Sequence, residues 1–170
     1  AILSNNCKKF ISENILRDFA VDGYTTSISK ELANSLYIKL RNNPSEKTQM
    51  LFCEWESLMH LSFDDNGKGN DIKKRREELS LIFSDNINST AKEYRALFAL
   101  QTAYAIIVKL IACKIIDKLD YGEATKNYSD LTKISAFNLR DFLEKLEDGY
   151  VYRNSNILNF LEGDFFSWYA

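Results

Sequence analysis

Proline occurs once in this 170-residue chain, at Pro44, and glycine only six times, so helices can run long before anything local stops them. Histidine also occurs once, at His60, and any Ser-His-Asp or Cys-His arrangement would have to use that residue. It sits between Met59 and Leu61, late in an apolar-faced helix, which reads as a structural or surface position. The cysteines Cys7, Cys53 and Cys113 are odd in number and widely spaced, which argues for free thiols over disulfides or metal ligands. Each falls in an apolar helical pattern, so buried free thiols and a reducing, cytoplasmic setting are expected. An excess of basic charge is missing too: the net charge is −2 and the pI about 5.5. Any affinity for nucleic acid must therefore come from a local patch. There is no charged-then-apolar leader, and the chain opens at Ala1, so a trimmed or excised segment is expected. The sequons at Asn88 and Asn127 then read as chance matches.

With 45% hydrophobic, 27% charged and 13% aromatic residues, the chain can bury a sizeable core. The expectation is one all-α domain over residues 1–170, a multi-helix bundle around a single long buried helix. That central helix is Thr90 to Leu119. Between Ala103 and Ile116 its only charges are Lys109 and Lys114, and the apolar residues are too continuous to leave a clean polar face. Thr90 and Glu93 have the spacing of a capping box at its start. At 1.5 Å per residue it would run roughly 45 Å. A membrane span is the rival reading, but the longest uncharged run, Ala96 to Val108, is short of the ~20 apolar residues a bilayer crossing needs.

The flanking segments read as helix after helix. Ser4 caps a segment to about Ala20 with one buried stripe at Cys7, Ile11, Ile15 and Phe19, widened by Phe10 and Leu16. Ser27 to Arg41 repeats Ile28, Leu32, Leu36 and Leu40 before Asn42-Asn43-Pro44 turns the chain. Ser45 caps a third helix whose broad face holds Met50, Leu51, Phe52, Trp55, Leu58 and Met59. Ser62 to Asn70 is the clearest loop, after which Asp71 caps a helix carrying Leu79, Ile82 and Phe83. Beyond the central helix, a polar connector from Asp120 to Ser129 leads to one or two helices through Leu131, Ile134, Phe137, Leu139, Phe142, Leu143 and Leu146, ending at Gly149. The tail from Ile157 to Tyr169 gathers Phe160, Phe165, Phe166, Trp168 and Tyr169, too much aromatic surface to leave exposed.

Most searches for chemistry fail. The loop from Asp64 to Gly69 starts like a calcium loop, but Lys68 and Arg75 stand where carboxylates are needed. Its glycines also lack the Lys-Ser/Thr of a phosphate-binding loop. Asp117 and Asp120 are one helical turn apart, which near a helix end reads as solvated charge. Phe52, Trp55, Phe98 and Tyr104 have helical spacing and read as core and not as a platform for stacking bases. One charge cluster stands out, Lys73-Lys74-Arg75-Arg76, directly after the glycine loop. It is either a solvated helix start balanced by Glu77 and Glu78 or a local contact for a phosphate backbone.

Two segments resemble a known family. Leu97 to Ile116, LFALQTAYAIIVKLIACKII, followed by Phe142 to Tyr169, FLEKLEDGYVYRNSNILNFLEGDFFSWY, is similar to the helical region that precedes the catalytic domain in adenine-specific DNA methyltransferases of restriction-modification systems. Asn159 to Tyr169 is the most specific part, and Trp55 in FCEWESL resembles the tryptophan upstream of the long helix in those proteins. The resemblance covers residues 52–170. It implies an S-adenosylmethionine-dependent parent enzyme, a downstream methyltransferase domain as partner, DNA bound through the parent, and no membrane. The family's glycine-rich strand-to-helix turn is missing, and with Pro44 alone an Asn-Pro-Pro-Tyr loop cannot occur in these residues. No catalytic, cofactor-binding or metal residue is therefore expected here, and Lys73, Lys74, Arg75 and Arg76 are the candidate DNA contacts. A free-standing helical protein-protein interaction module is the alternative, with the aromatic tail as its hot spot.

Overall fold

A computed structural model describes residues 12–21, 26–62, 69–119, 135–154 and 156–157. The chain is all-α, and no strand occurs among the described residues. In order, the helices are α1 (Ser12–Phe19), α2 (Ile28–Asn42), α3 (Glu46–Ser62), α4 (Gly69–Phe83), α5 (Thr90–Leu119), α6 (Ala136–Glu147) and α7 (Tyr150–Arg153). Two compact units divide the fold between Tyr104 and Ala105, inside α5, which gives its first half to one unit and its second half to the other.

Local chemistry explains the helix starts. Ser27 accepts from the Lys30 N–H at 3.1 Å and caps α2. Ser45 accepts from the Thr48 N–H at 3.2 Å and caps α3. α4 begins at Gly69, two residues before the expected cap Asp71, which lies exposed inside its first turn. α5 begins at Thr90 as expected, but its cap is Ser89, whose Oγ accepts from the Lys92 N–H at 3.4 Å while its carbonyl accepts from the Glu93 N–H at 3.0 Å. No Thr90–Glu93 box forms, because the Glu93 carboxylate is taken by two arginines of α4. α6 starts on Ser135 and ends at Gly149, whose φ of 71° is the left-handed cap expected there.

In the first unit, α2 buries Ala33, Leu36, Tyr37 and Leu40, α3 buries Thr48, Phe52 and Trp55, and α4 buries Leu79, Ile82 and Phe83. These close on Tyr94, Phe98, Ala99, Thr102 and Ala103 of α5. Trp55 is the hub, with its ring centroid 5.4 Å from Phe98 and 6.1 Å from Tyr94, the latter edge to face. Its Nε1 donates to Gln101 Oε1 at 3.0 Å, so the one polar atom of the indole is satisfied. The α3 face is narrower than expected: Met50 and Leu58 point to solvent, because residues two before and six after Phe52 fall across the helix from it. Cys53 is likewise exposed and not buried. α1 packs on α2 but buries none of its residues, and Leu16 is 64% exposed. Its expected buried stripe is thus absent at Ile15 and Leu16, while the expected positions Cys7, Phe10 and Ile11 lie outside the described residues.

In the second unit, Cys113 and Ile116 of α5 cluster with Phe142 and Leu146 of α6 and Tyr152 of α7, and Leu110, Leu139, Leu143 and Ile157 pack around them. The Tyr152 hydroxyl, buried, donates to the Lys109 carbonyl at 2.8 Å and ties α7 to α5. Phe137, expected on the buried face of α6, is 80% exposed. Lys109 is itself buried, and burial holds its ammonium pKa below the usual lysine value despite the nearby charges of Glu147 and Asp148. By length and composition Thr90 to Ile116 could cross a bilayer, an 18-residue window within it having a mean hydropathy of 1.9, yet half of that window is buried within the protein, and Cys113 and Ile116 pack on neighbouring helices. The Asp64 to Gly69 motif short of Gly69, the segment 120–134 and the aromatic tail beyond Ile157 lie outside the described residues.

Candidate functional site

The four cations singled out in the sequence sit in the second turn of α4, and α5 sorts them into two pairs. Successive helical residues are rotated by about 100°, so no single face can hold all four. Arg75 and Arg76 turn toward α5, where Nε of Arg75 meets Glu93 Oε1 at 2.5 Å and Nε of Arg76 meets Glu93 Oε2 at 2.7 Å. Arg76 Nη2 also donates to Thr90 Oγ1 at 3.1 Å. Glu93 is 1% exposed, and the two guanidinium side chains are only about a quarter exposed. One carboxylate thus uses each oxygen on a different arginine, satisfying a charge that could not be buried alone.

Lys73 and Lys74 point the other way. Lys73 is 78% exposed and reaches Glu77 only at 3.9 Å, one turn on, a solvated pair of the kind worth about 0–1 kcal/mol. Lys74 is exposed and makes no ion pair among the described residues. Asp71, Glu77 and Glu78 are exposed around them, so the surface at the start of α4 is mixed in sign, with two exposed lysines at its outer edge. Sequence reading placed the four cations together and anticipated Glu77, but it missed Glu93. The only local signal was the Thr90–Glu93 spacing, which pointed to a cap.

A second polar cluster was not anticipated. Asp85, in the connection from α4 to α5, accepts from the Tyr37 hydroxyl at 2.8 Å and pairs with Arg41 at 3.2 Å and Lys92 at 3.3 Å. The Tyr37 hydrogen bond, and then Lys92, hold its carboxyl pKa below the usual value. Burial and the Asp85 carboxylate push the Tyr37 phenol up to about 12. Nearby, Asn34 Nδ2 donates to the Ile82 carbonyl at 3.0 Å, and Ser80 Oγ donates to the Arg76 carbonyl and accepts from the Ile87 N–H. These bonds bind the end of α4 and its turn, where Ser84 takes a φ of 48°, to the rest of the unit. They tie α2, α4 and α5 together within the first unit.

His60 lies exposed at the end of α3 with its ring edge to face on Tyr94, centroids 4.8 Å apart, and Nδ1 3.4 Å from the Tyr94 hydroxyl. Apart from the Tyr94 hydroxyl, no side chain among the described residues is bonded to it. Among the described residues no group of His, Cys, Asp and Glu could hold a metal ion. Asp120 of the Asp117 pair lies outside them. No protein-family model, curated protein or solved structure matches the chain.

Proposed function

We propose that this chain is the non-catalytic helical domain of an S-adenosylmethionine-dependent, adenine-specific DNA methyltransferase of a restriction-modification system. In this reading it is a cytoplasmic domain that supports a downstream catalytic domain and adds backbone contacts to DNA at the start of α4. The observation that carries the reading is the resemblance of Asn159 to Tyr169, together with Leu97 to Ile116, to the region before the catalytic domain in that family. The cations that follow the glycine loop supply a charge patch in an otherwise acidic chain. Methyl transfer would belong to the downstream domain, since these residues contain no Asn-Pro-Pro-Tyr loop to hold a flipped adenine.

The test is the reading frame beyond Ala170, and the activity of its product. Continuation into a glycine-rich strand-to-helix turn and an Asn-Pro-Pro-Tyr loop, with N6-methyladenine formed in plasmid DNA on expression, is the expected result. A stop codon at that point would overturn the reading. It would favour a free-standing interaction module, for which the exposed Phe137 and Leu16 are the supporting observation.

A further inference from the structure

Four consecutive cations invite the expectation of four phosphate contacts, but Glu93 changes that number. Glu93 is 1% exposed and its carboxylate is bonded to Nε of both Arg75 and Arg76, and Arg76 is further held by Thr90. For either guanidinium to swing out to a phosphate, one oxygen of the buried carboxylate would lose its charged hydrogen-bond donor, whereas a solvated phosphate contact offers in return only the release of a counterion. The lysines face no such penalty. Lys73 is 78% exposed with only Glu77 at 3.9 Å, and Lys74 is exposed with no ion pair among the described residues.

We propose that Lys73 and Lys74 alone carry the phosphate contact of this helix, and that Glu93 is the positioning residue that fixes the number at two by holding Arg75 and Arg76 against α5. The inference rests on the DNA-contact reading above and deepens it. An ammonium is a compact point charge without the planar fork that reads a guanine edge, so the contact is with the backbone of duplex DNA and is blind to sequence. The exposed carboxylates of Asp71, Glu77 and Glu78 flank the lysines and keep the patch from gathering further phosphates.

The experiment is a salt series of fluorescence anisotropy titrations of the full chain on a labelled duplex, for wild type and three variants whose helicity is checked by circular dichroism. Lys73→Gln with Lys74→Gln should flatten the slope of log affinity against log salt by up to about 1.8, at about 0.9 per lost contact. Arg76→Ala, which leaves Arg75 on Glu93, should leave the slope at the wild-type value. Glu93→Gln, which frees both guanidinium groups, should raise affinity and steepen the slope. A flattening by Arg76→Ala equal to that of one lysine, or a folded Glu93→Gln with an unchanged slope, would overturn the inference and leave the DNA reading standing. If Glu93→Gln fails to fold, Arg76→Ala decides alone. Absence of binding by wild type, or a lysine double variant parallel to wild type, would overturn the DNA reading and the inference with it.

Discussion

The Tyr37 hydroxyl donates to Asp85 Oδ2 at 2.8 Å, joining α2 to the turn that carries the chain from α4 into α5. The same carboxylate holds Arg41 and Lys92, so one acidic side chain is bonded to two separate helices besides its own loop. Three partners on one partly exposed carboxylate define where α5 begins relative to α2. A loop residue with no hydrophobic role thereby becomes a fixed point of the first unit.

The bond between Tyr37 and Asp85 makes stability depend on pH at both ends of the scale. The Asp85 carboxyl is depressed in the folded state, so its contribution is present above the ordinary value of 3.8 and is lost as pH falls through the lower folded value. The Tyr37 phenol is raised from 10.0 to about 12, so its contribution is full below pH 10 and is lost as pH rises from there to about 12. Tyr37→Phe should cost about 1–2 kcal/mol at neutral pH. It should also flatten the fall in thermal midpoint between pH 10 and 12, which a melting series at both pH values on wild type and variant reads directly.

Trp55 gives a sharper test of the core. Gln101→Leu would leave the buried indole N–H without its acceptor and should cost about 1–3 kcal/mol, although Gln101 itself is exposed. Trp55→Ala empties the space between Tyr94 and Phe98 and should cost about 3–5 kcal/mol. Urea denaturation of the two variants measures both. Equal midpoints for Gln101→Leu and wild type would mean that the indole contributes by packing alone.

Ala103 and Ile107 stand on the buried side of α5 on either side of the division between units, both essentially inaccessible. Ala103→Asp or Ile107→Asp places an unpaired charge in packed surroundings and should cost several kcal/mol, on the order of 3–5. Val108→Asp is the control: its neighbour in sequence is buried but it is exposed, and its cost should stay within about 1 kcal/mol. A urea series in which all three behave alike would remove the distinction between the two faces of this helix.

The bounds of α5 were legible because its apolar residues are nearly continuous, interrupted between Ala103 and Ile116 only by Lys109 and Lys114 among charges, and a hydroxyl residue precedes a long stretch of helix formers. The cap Ser45 and the left-handed Gly149 were legible because each depends on residues within one turn, whereas Ser27, read as the first residue of its helix, is the cap of α2. What could not be read spans longer distances. Glu93 satisfies the local spacing of a capping box, and only the approach of α4 shows that Arg75 and Arg76, 18 and 17 residues away in sequence, claim its carboxylate. Tyr37 and Asp85 are 48 residues apart, and no periodicity links a helix residue to a single loop acid. Phe137 and Leu16 were assigned to buried faces because they are apolar at helical spacing, but spacing does not say whether another element arrives to cover them. Gly69 was read as loop because two glycines among Asp and Asn favour turns, yet it opens α4 in free space, where a first-turn glycine loses no packing.

The methyl donor provides the last test. S-adenosylmethionine needs a strand ending in a glycine-rich turn, so that backbone N–H groups can approach its polar atoms and a carboxylate can hold its ribose. The chain contains six glycines, of which Gly69 opens α4, Gly149 caps α6 at a φ of 71°, and none follows a run that reads as a strand. Calorimetric titration of the 170-residue chain with S-adenosylmethionine should therefore show no saturable heat. The longer product of the proposed reading frame should bind it with a micromolar isotherm. A micromolar isotherm from the short chain would place a donor site among these helices and overturn the assignment of methyl transfer to a downstream domain.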